Sequence, residues 1–328
     1  QRQWSLKEKL KAIINGHAQR ERYRLFQNFN KKYLPRMTMR YNTPNDLETA
    51  ELDYDVYICG SDQIWNPENV KHDTSFFFDY VTKNKAVLAS YAASIGQDRL
   101  SMQDQEWIRK GIARFDNISI REKSGVDLAC KLLNSGRIVQ SIDPTLLFSG
   151  DYWRSVSQKP TENLPDHFIL YYPIQNTDFS LDVIMRVKKE TGLSCIALDG
   201  GIKKNPHASM QIRSYGPCEF LWLIDHADYI ITNSFHGTVL SLLLKKQVIV
   251  YRHSTRNSRL ESVLNLLDLN EIQISEIENL KKLNWKLVAE KENRIDKLLK
   301  EERRNAEEYL RSILEKKVDL SDNTKKSE

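Results

Sequence analysis

From Asp55 onward the chain alternates between short apolar runs rich in Val, Ile and Tyr and longer stretches of helical period, and this alternation restricts the fold more than any other feature. Parallel strands need a crossover of a dozen or more residues, usually a helix, whereas antiparallel ones close with a short turn. The spacing therefore predicts βα units. The first runs are Val56–Cys59 and residues 86–94, 117–120 and 138–142. Between them lie residues 101–115, carrying Trp107, Ile108 and Ile112, and residues 125–133, where Val126, Leu128, Ala129, Leu132 and Leu133 are spaced to face a sheet. The first half reads as a doubly wound sheet.

The pattern loosens over residues 151–165 and restarts with a strand at 167–172, a helix near 181–190 and a strand at Ser194–Leu198. A helix at Pro217–His226, with Pro at its first turn, then precedes a strand at Tyr229–Thr232, a helix over 235–244 and a strand at Gln247–Tyr251. This is a second Rossmann-like half. The expected division is an N-terminal domain over 1–162, a second domain over 163–290, and a charged helix and tail over 291–328. In the tail Ile295, Leu298, Leu299, Leu310, Ile313 and Leu314 form one apolar stripe, read as a helix packing on a domain in preference to a membrane contact.

The chain has 328 residues, enough for two domains that each bury a core. No apolar stretch is long enough to span a bilayer. The four cysteines, Cys59, Cys130, Cys195 and Cys218, stand singly, without the paired spacing of a zinc or redox site, and read as small buried hydrophobes of a reducing compartment. The net charge of +5 is spread along the chain, which gives no case for nucleic acid and agrees with an anionic substrate or membrane surface. The sequence opens at Gln1 without a methionine, and residues 1–32 are basic and lack the apolar core of a signal peptide. The expectation is that the true start is missing.

Ligands of parallel α/β sheets bind beyond the carboxyl ends of the strands, so the loops after each strand carry the candidates. After Val56–Cys59 comes Gly60-Ser61-Asp62-Gln63-Ile64-Trp65-Asn66. There Asp62 is a candidate general base or hydroxyl acceptor and Trp65 offers a face for sugar stacking, against the alternative of an Asx-type turn with Trp65 in the core. After Tyr229–Thr232 comes Asn233-Ser234-Phe235-His236-Gly237-Thr238, where amides at a helix start would hold a phosphate or carboxylate and His236 would act as donor or general acid. After Gln247–Tyr251 comes a basic loop with Arg252, Arg256 and Arg259, either a bidentate anion grip or a solvated surface. Arg121, at the end of 117–120, is either a ligand or a partner of Glu122, and Gly200 and Gly201 permit close backbone approach. No dinucleotide fingerprint, Walker loop, zinc-protease helix or serine-hydrolase elbow is present. These residues reach an anion-binding, two-domain enzyme and no further.

The blocks "YDVYICGSDQIWNP", "SYAASIG", "SIREKSG", "IDPTLLF" and "ADYIITNSFHGTVLSLLLKKQVIVY" follow one another in the order and spacing of the bacterial polysaccharide pyruvyltransferases, which the chain resembles over roughly Asp53 to Leu269. The resemblance implies two Rossmann-like domains facing a cleft, as in glycosyltransferase-B enzymes. It also implies pyruvate transfer from phosphoenolpyruvate to a sugar of a surface-polysaccharide repeat unit, as a ketal. On this pattern His236 is the motif histidine of donor handling and catalysis, and the reading of the residues adds Asp62 to orient or deprotonate the acceptor. Ser234, Phe235, Gly237, Thr238, Arg121, Arg252, Arg256 and Arg259 belong to the donor side, and Gly60, Ser61, Gln63 and Trp65 to the acceptor side. The scheme calls for no metal and no cofactor beyond phosphoenolpyruvate as co-substrate. Its partner is a lipid-linked sugar, and its place the cytoplasm, with peripheral contact at the inner membrane. Family members begin with a strand, an asparagine-tyrosine-glycine loop, a helix and a second strand; no such loop precedes Asp53, so the first domain is expected to be N-terminally truncated in this sequence. Two other readings stand beside this one, a nucleotide-sugar glycosyltransferase of the same fold class and a non-catalytic component of a polysaccharide-assembly complex.

Overall fold

The computed structural model describes residues 6–34, 39, 41–50, 52–81, 86–97, 99–199, 204–253 and 257–324. The chain forms two compact units, one made of Met39–Leu147, Ser254–Asp268 and Asn293–Glu328, the other of Gln1–Thr38, Phe148–His253 and Leu269–Glu292.

In the first unit, β1 (Val56–Cys59) pairs in parallel with β2 (Val87–Ser90), and β3 (Ser119–Ile120) with β4 (Val139–Gln140). Parallel bridges Ala89–Asn117 and Ala93–Ile120 join the two pairs, so the strands run β1-β2-β3-β4 in chain order. One core cluster gathers Tyr57, Cys59, Leu88 and Ile120 from the strands with Ile108 and Ile112 of helix Met102–Ile112 and Val126 and Ala129 of helix Lys123–Leu133. Ser101 starts the first of these helices, its hydroxyl accepting from the Asp104 amide while Asp104 reaches back to the Ser101 amide.

A second cluster sets Val87, Ala89 and Val56 against Ile313, Tyr309 and Leu310 of helix Glu292–Thr324. The Tyr309 hydroxyl donates to the Ser90 carbonyl at 2.8 Å, and Arg303 Nε to the Leu146 carbonyl at 2.7 Å. The apolar stripe read in the tail packs on this unit through Leu310 and Ile313, whereas Leu314 is exposed, and residues 291–328 are not a separate domain.

The second unit is built on a six-stranded parallel sheet of β5 (Phe168–Tyr172), β6 (Ser194–Leu198), β7 (Met210–Ile212), β8 (Tyr229–Thr232), β9 (Gln247–Tyr251) and β10 (Gln273–Ile274). Their order is β10-β9-β8-β5-β6-β7, the doubly wound Rossmann arrangement, and it reverses between β5 and β8. Ile169, Tyr171, Cys195, Ala197, Ile231 and Ile249 meet Val183, Ile184 and Val187 of helix Asp178–Thr191 in the core.

The boundary expected at residues 162/163 lies at 147/148. Helix Gly150–Val156 falls in the loosened stretch, yet it docks on the second unit: Arg154 Nε donates to Asp225 Oδ1 at 3.1 Å, its Nη2 to the Leu244 carbonyl, and the Gln158 amide to the Cys218 carbonyl. The N-terminal helix Leu6–Tyr33 also belongs there, with the Arg22 guanidinium 5.1 Å over the Tyr215 ring. Helix Ser258–Leu266 returns to the first unit, where Ser262 Oγ accepts from the Lys123 amide at 3.2 Å. Both units are Rossmann-like, and their composition differs from the expected linear division at each of these segments.

Candidate functional site

The order reversal of the second sheet places its ligand crevice beyond the ends of β5 and β8. Tyr172 and Thr232 end these strands in register. Thr232 Oγ1 donates to the Tyr172 carbonyl at 2.6 Å and accepts from the Ser234 amide at 3.0 Å. Ser234 then caps helix Phe235–Leu243, its Oγ accepting from the Gly237 amide and its carbonyl from the Thr238 amide. Every residue from Thr232 to Leu244 is buried except His236, which is partly exposed and whose ring stands edge-on to Phe235 at 5.3 Å. A methyl group at Gly237 would come within 2.9 Å of both Thr232 Oγ1 and Tyr172 Cδ1, so only glycine lets this turn pack against β5.

The amides of Ser234, Gly237 and Thr238 are each taken by an internal acceptor. Three amides of the Ser234–Thr238 run read from the sequence are thus committed to bonds within the turn, and His236 is the residue of that run that reaches solvent. The first turn carries no acid. Helix Asp178–Thr191, after β5, is the opposite case: Thr177 and Ser180 cap it and Asp178 puts a negative charge in its first turn. Arg252 follows β9 and is exposed, while Arg256, Gly200 and Gly201 lie outside the described residues.

At the strand ends of the first unit the charges are concentrated. Arg121 is buried beyond β3, and its guanidinium pairs with Asp143, beyond β4, each side chain being only 2% exposed. Asp143 also accepts from Ser61 Oγ at 3.0 Å and from the Thr145 amide and hydroxyl. Asp62, whose side chain is 62% exposed, meets Arg121 Nη2 at 3.3 Å and Arg259 Nη1 at 3.5 Å through a single oxygen, Oδ1. Its φ of 75° is in the left-handed region, which Asp tolerates better than most residues and which turns the carboxylate outward from the end of β1. Glu122 Oε1 accepts from the amides of Ile95 and Gly96 at 2.7 and 3.0 Å, fixing the loop after β2. Gly96, at φ 64°, leaves room for the Gln63 side chain, which a methyl group there would meet at 2.5 Å.

The structure thus brings Ser61, Asp62, Arg121 and Arg259 together, joined by Asp143, which sequence reasoning did not select. Arg121 and Arg259 were expected on the donor side with His236, but both belong to the unit that carries Asp62. Arg259 is the second residue of helix Ser258–Leu266 and not part of an irregular basic loop. The stacking role of Trp65 is corrected: its ring is fully buried, stacked on Phe77 at 5.7 Å and edge-on to Phe115 at 5.5 Å, so it presents no face to a sugar. The turn reading, with Trp65 in the core, is the one the packing supports. Gly60 is exposed, with open space where a side chain would begin.

Among the described residues no group of three or more His, Cys, Asp or Glu side chains is placed to hold a metal ion. No described helix is long and apolar enough to cross a membrane. Cys59 and Cys195 are buried, and desolvation holds both thiols in the neutral form, that of Cys195 up at about 12.

A family model described as polysaccharide pyruvyl transferase matches residues 6–255. No curated protein matches the chain. Among solved structures the chain is similar to the UDP-GlcNAc 2-epimerase of Methanocaldococcus jannaschii, at 12% identity and a TM-score of 0.50, over 81% of this chain and 82% of that one. It is equally similar to the UDP-GlcNAc 2-epimerase of Neisseria meningitidis bound to UDP-GlcNAc, at 12% identity and a TM-score of 0.50, over 79% and 76% of the two chains. At that identity the likeness is one of fold, the glycosyltransferase-B-like class of two Rossmann units.

Proposed function

The chain belongs to the polysaccharide pyruvyl transferase family, and we propose that it transfers pyruvate from phosphoenolpyruvate to a sugar of a surface-polysaccharide repeat unit as a ketal. The observation that carries the reading is His236, the one solvent-reaching side chain on an otherwise buried, acid-free helix entrance at the switch point of the second sheet.

A phosphate or carboxylate of the donor sits at that entrance, favoured by the positive end of the helix dipole and by the His236 imidazole. His236, protonated, gives its proton to the methylene carbon of phosphoenolpyruvate, and the electron deficiency appears at C2 as an oxocarbenium-like centre. One sugar hydroxyl attacks C2 and loses its proton, phosphate leaves with the C2–O bond pair, and a second hydroxyl closes the ketal and loses its own proton. Of the two protons released, one replaces that given to the methylene and the other leaves with phosphate. In the first unit Asp62 receives or orients the attacking hydroxyl. Among the described residues its ion pairs are made through Oδ1, and its exposure leaves the carboxylate open to a ligand. The buried Arg121–Asp143 pair holds Arg121 beside it. No metal enters this scheme, and its co-substrate is phosphoenolpyruvate alone.

A nucleotide-sugar donor fits the second unit less well. The turn after β5 reads Tyr172-Pro173-Ile174-Gln175-Asn176, with no glycine to admit a pyrophosphate, and the following helix is already capped and carries Asp178. A lipid-linked acceptor would place the enzyme at the cytoplasmic face of the inner membrane.

The reading is tested by thermal-shift titration with phosphoenolpyruvate and with UDP, repeated on His236→Ala, alongside an assay of phosphate release with sugar acceptors. Stabilisation by phosphoenolpyruvate and turnover reduced about 100-fold or more in His236→Ala are expected. Stabilisation by UDP alone would transfer the assignment to glycosyl transfer.

A further inference from the structure

One carboxamide ties together the two loops that follow β5 and β8 at the switch point of the sheet. Asn233 is 4% exposed and immediately precedes the cap Ser234. Its Oδ1 accepts from the amides of Ile174 and Gln175 at 2.8 and 3.4 Å, and its Nδ2 donates to the Gln175 carbonyl at 3.2 Å. The same carbonyl accepts from the Tyr251 hydroxyl at 2.9 Å, at the end of β9. Burial pushes the Tyr251 pKa up, which keeps the phenol a donor.

Backbone groups that leave a strand lose their ladder partners and must find others. For Ile174 and Gln175 the side chain of Asn233 supplies them, doing for two residues beyond β5 what β8 does within the sheet. With its peptide groups drawn inward to Asn233, Ile174 is 60% exposed. Tyr172 and Thr232 are register partners, so Ile174 and His236 leave neighbouring strand ends in the same direction, two and four residues further on.

We infer that Asn233 is a positioning residue that sets the loop after β5 relative to the His236 turn, and that Ile174 is the substrate-facing residue it presents. This rests on the reading proposed above. An apolar wall suits a donor whose methylene becomes a methyl in the reaction, because apolar contact favours the uncharged, more alkyl-like carbon.

The test uses the full chain and three variants, with amide hydrogen exchange over residues 173–177 and steady-state kinetics in phosphoenolpyruvate. Asn233→Ala should speed exchange at Ile174 and Gln175 at least 10-fold and lower kcat at least 10-fold, with the global unfolding midpoint little changed. Asn233→Asp keeps the Oδ acceptor and should restore protection at Ile174 and part of kcat, a rescue that lost packing alone would not give. Ile174→Ser leaves the clasp intact, so exchange should stay at the wild-type rate while KM for phosphoenolpyruvate rises about fivefold or more. Unchanged exchange in Asn233→Ala, or faster exchange with wild-type kcat and KM, overturns the positioning role. Wild-type kinetics in Ile174→Ser overturn the substrate contact. A wild type that does not turn over phosphoenolpyruvate defeats the reaction reading and the role of Ile174 with it, whereas the exchange arm judges the Asn233 clasp by itself.

Discussion

Arg121 and Asp143 face each other beyond the ends of the paired strands β3 and β4, a guanidinium and a carboxylate each withdrawn from solvent to 2% exposure. Removing one partner of such a pair leaves the other charge buried without compensation, which typically costs 3–5 kcal/mol. Arg121→Met should therefore lower unfolding stability by about 3–5 kcal/mol in urea titration. Arg121→Met combined with Asp143→Leu should cost clearly less than Arg121→Met alone. A single variant as stable as wild type would show that the pair contributes nothing to the fold.

Trp65 separates a core role from a binding role. Its ring fills space between Phe77 and Phe115, so Trp65→Ala should cost about 3–5 kcal/mol, as large-to-small changes of buried aromatics do. Trp65→Phe should keep most of the stability and the wild-type KM for a sugar acceptor. A selective rise of that KM in a stably folded Trp65→Phe would restore the stacking role the packing argues against.

Gly237→Ala adds one methyl group to the turn that presents His236. The methyl meets Thr232 Oγ1, the atom that ties β5 to the Ser234 amide. Overpacking of this kind costs about 1–3 kcal/mol, and turnover should fall more than stability because the displaced turn carries the proposed proton donor. Full activity with crystallographically unchanged backbone would remove the argument from close packing.

Asp104 gives the fold an acid-sensitive contact. Hydrogen bonding from Ser101, with further help from His72, lowers its carboxyl pKa below the ordinary value of 3.8. A group whose pKa is lower folded than unfolded stabilises above the unfolded value, and loses that contribution as pH falls through the folded one. Stability should thus decline below about pH 4 partly through this residue. Ser101→Ala, which removes the main cause, should differ from wild type more at about pH 6 than at about pH 2. An equal difference at both pH values would assign the effect to helix capping alone.

Where structure follows from local pattern, the residues announced it. The strands Val56–Cys59, Ser194–Leu198, Tyr229–Thr232 and Gln247–Tyr251 coincide with apolar runs bounded by polar turns. Strands β7 and β10, of three and two residues, are too short to show a period. Arg259 looked like part of a basic loop because its tie to Asp62 is a tertiary contact between distant segments. Asp143 lay in a quoted motif without a role, since a buried ion pair leaves no periodic trace. Asn233 was hidden for a related reason, as bonds from a side chain to a distant backbone depend on which strand lies alongside. The helix Gly150–Val156 was assigned across the wrong boundary because composition marks where a pattern weakens, not which surface the segment then covers.

The passage of the chain back into the first unit at Asn293 gives synthesis an order that its architecture alone does not display. Val87 and Ala89 emerge from the ribosome long before Ile313, the residue that covers them. During that interval one face of β2 has no lid of its own, while the segments that complete the second sheet are still being made. The nascent chain therefore carries an adhesive surface through most of its own translation, and its yield in a cell should depend on holdase chaperones more than its finished stability suggests.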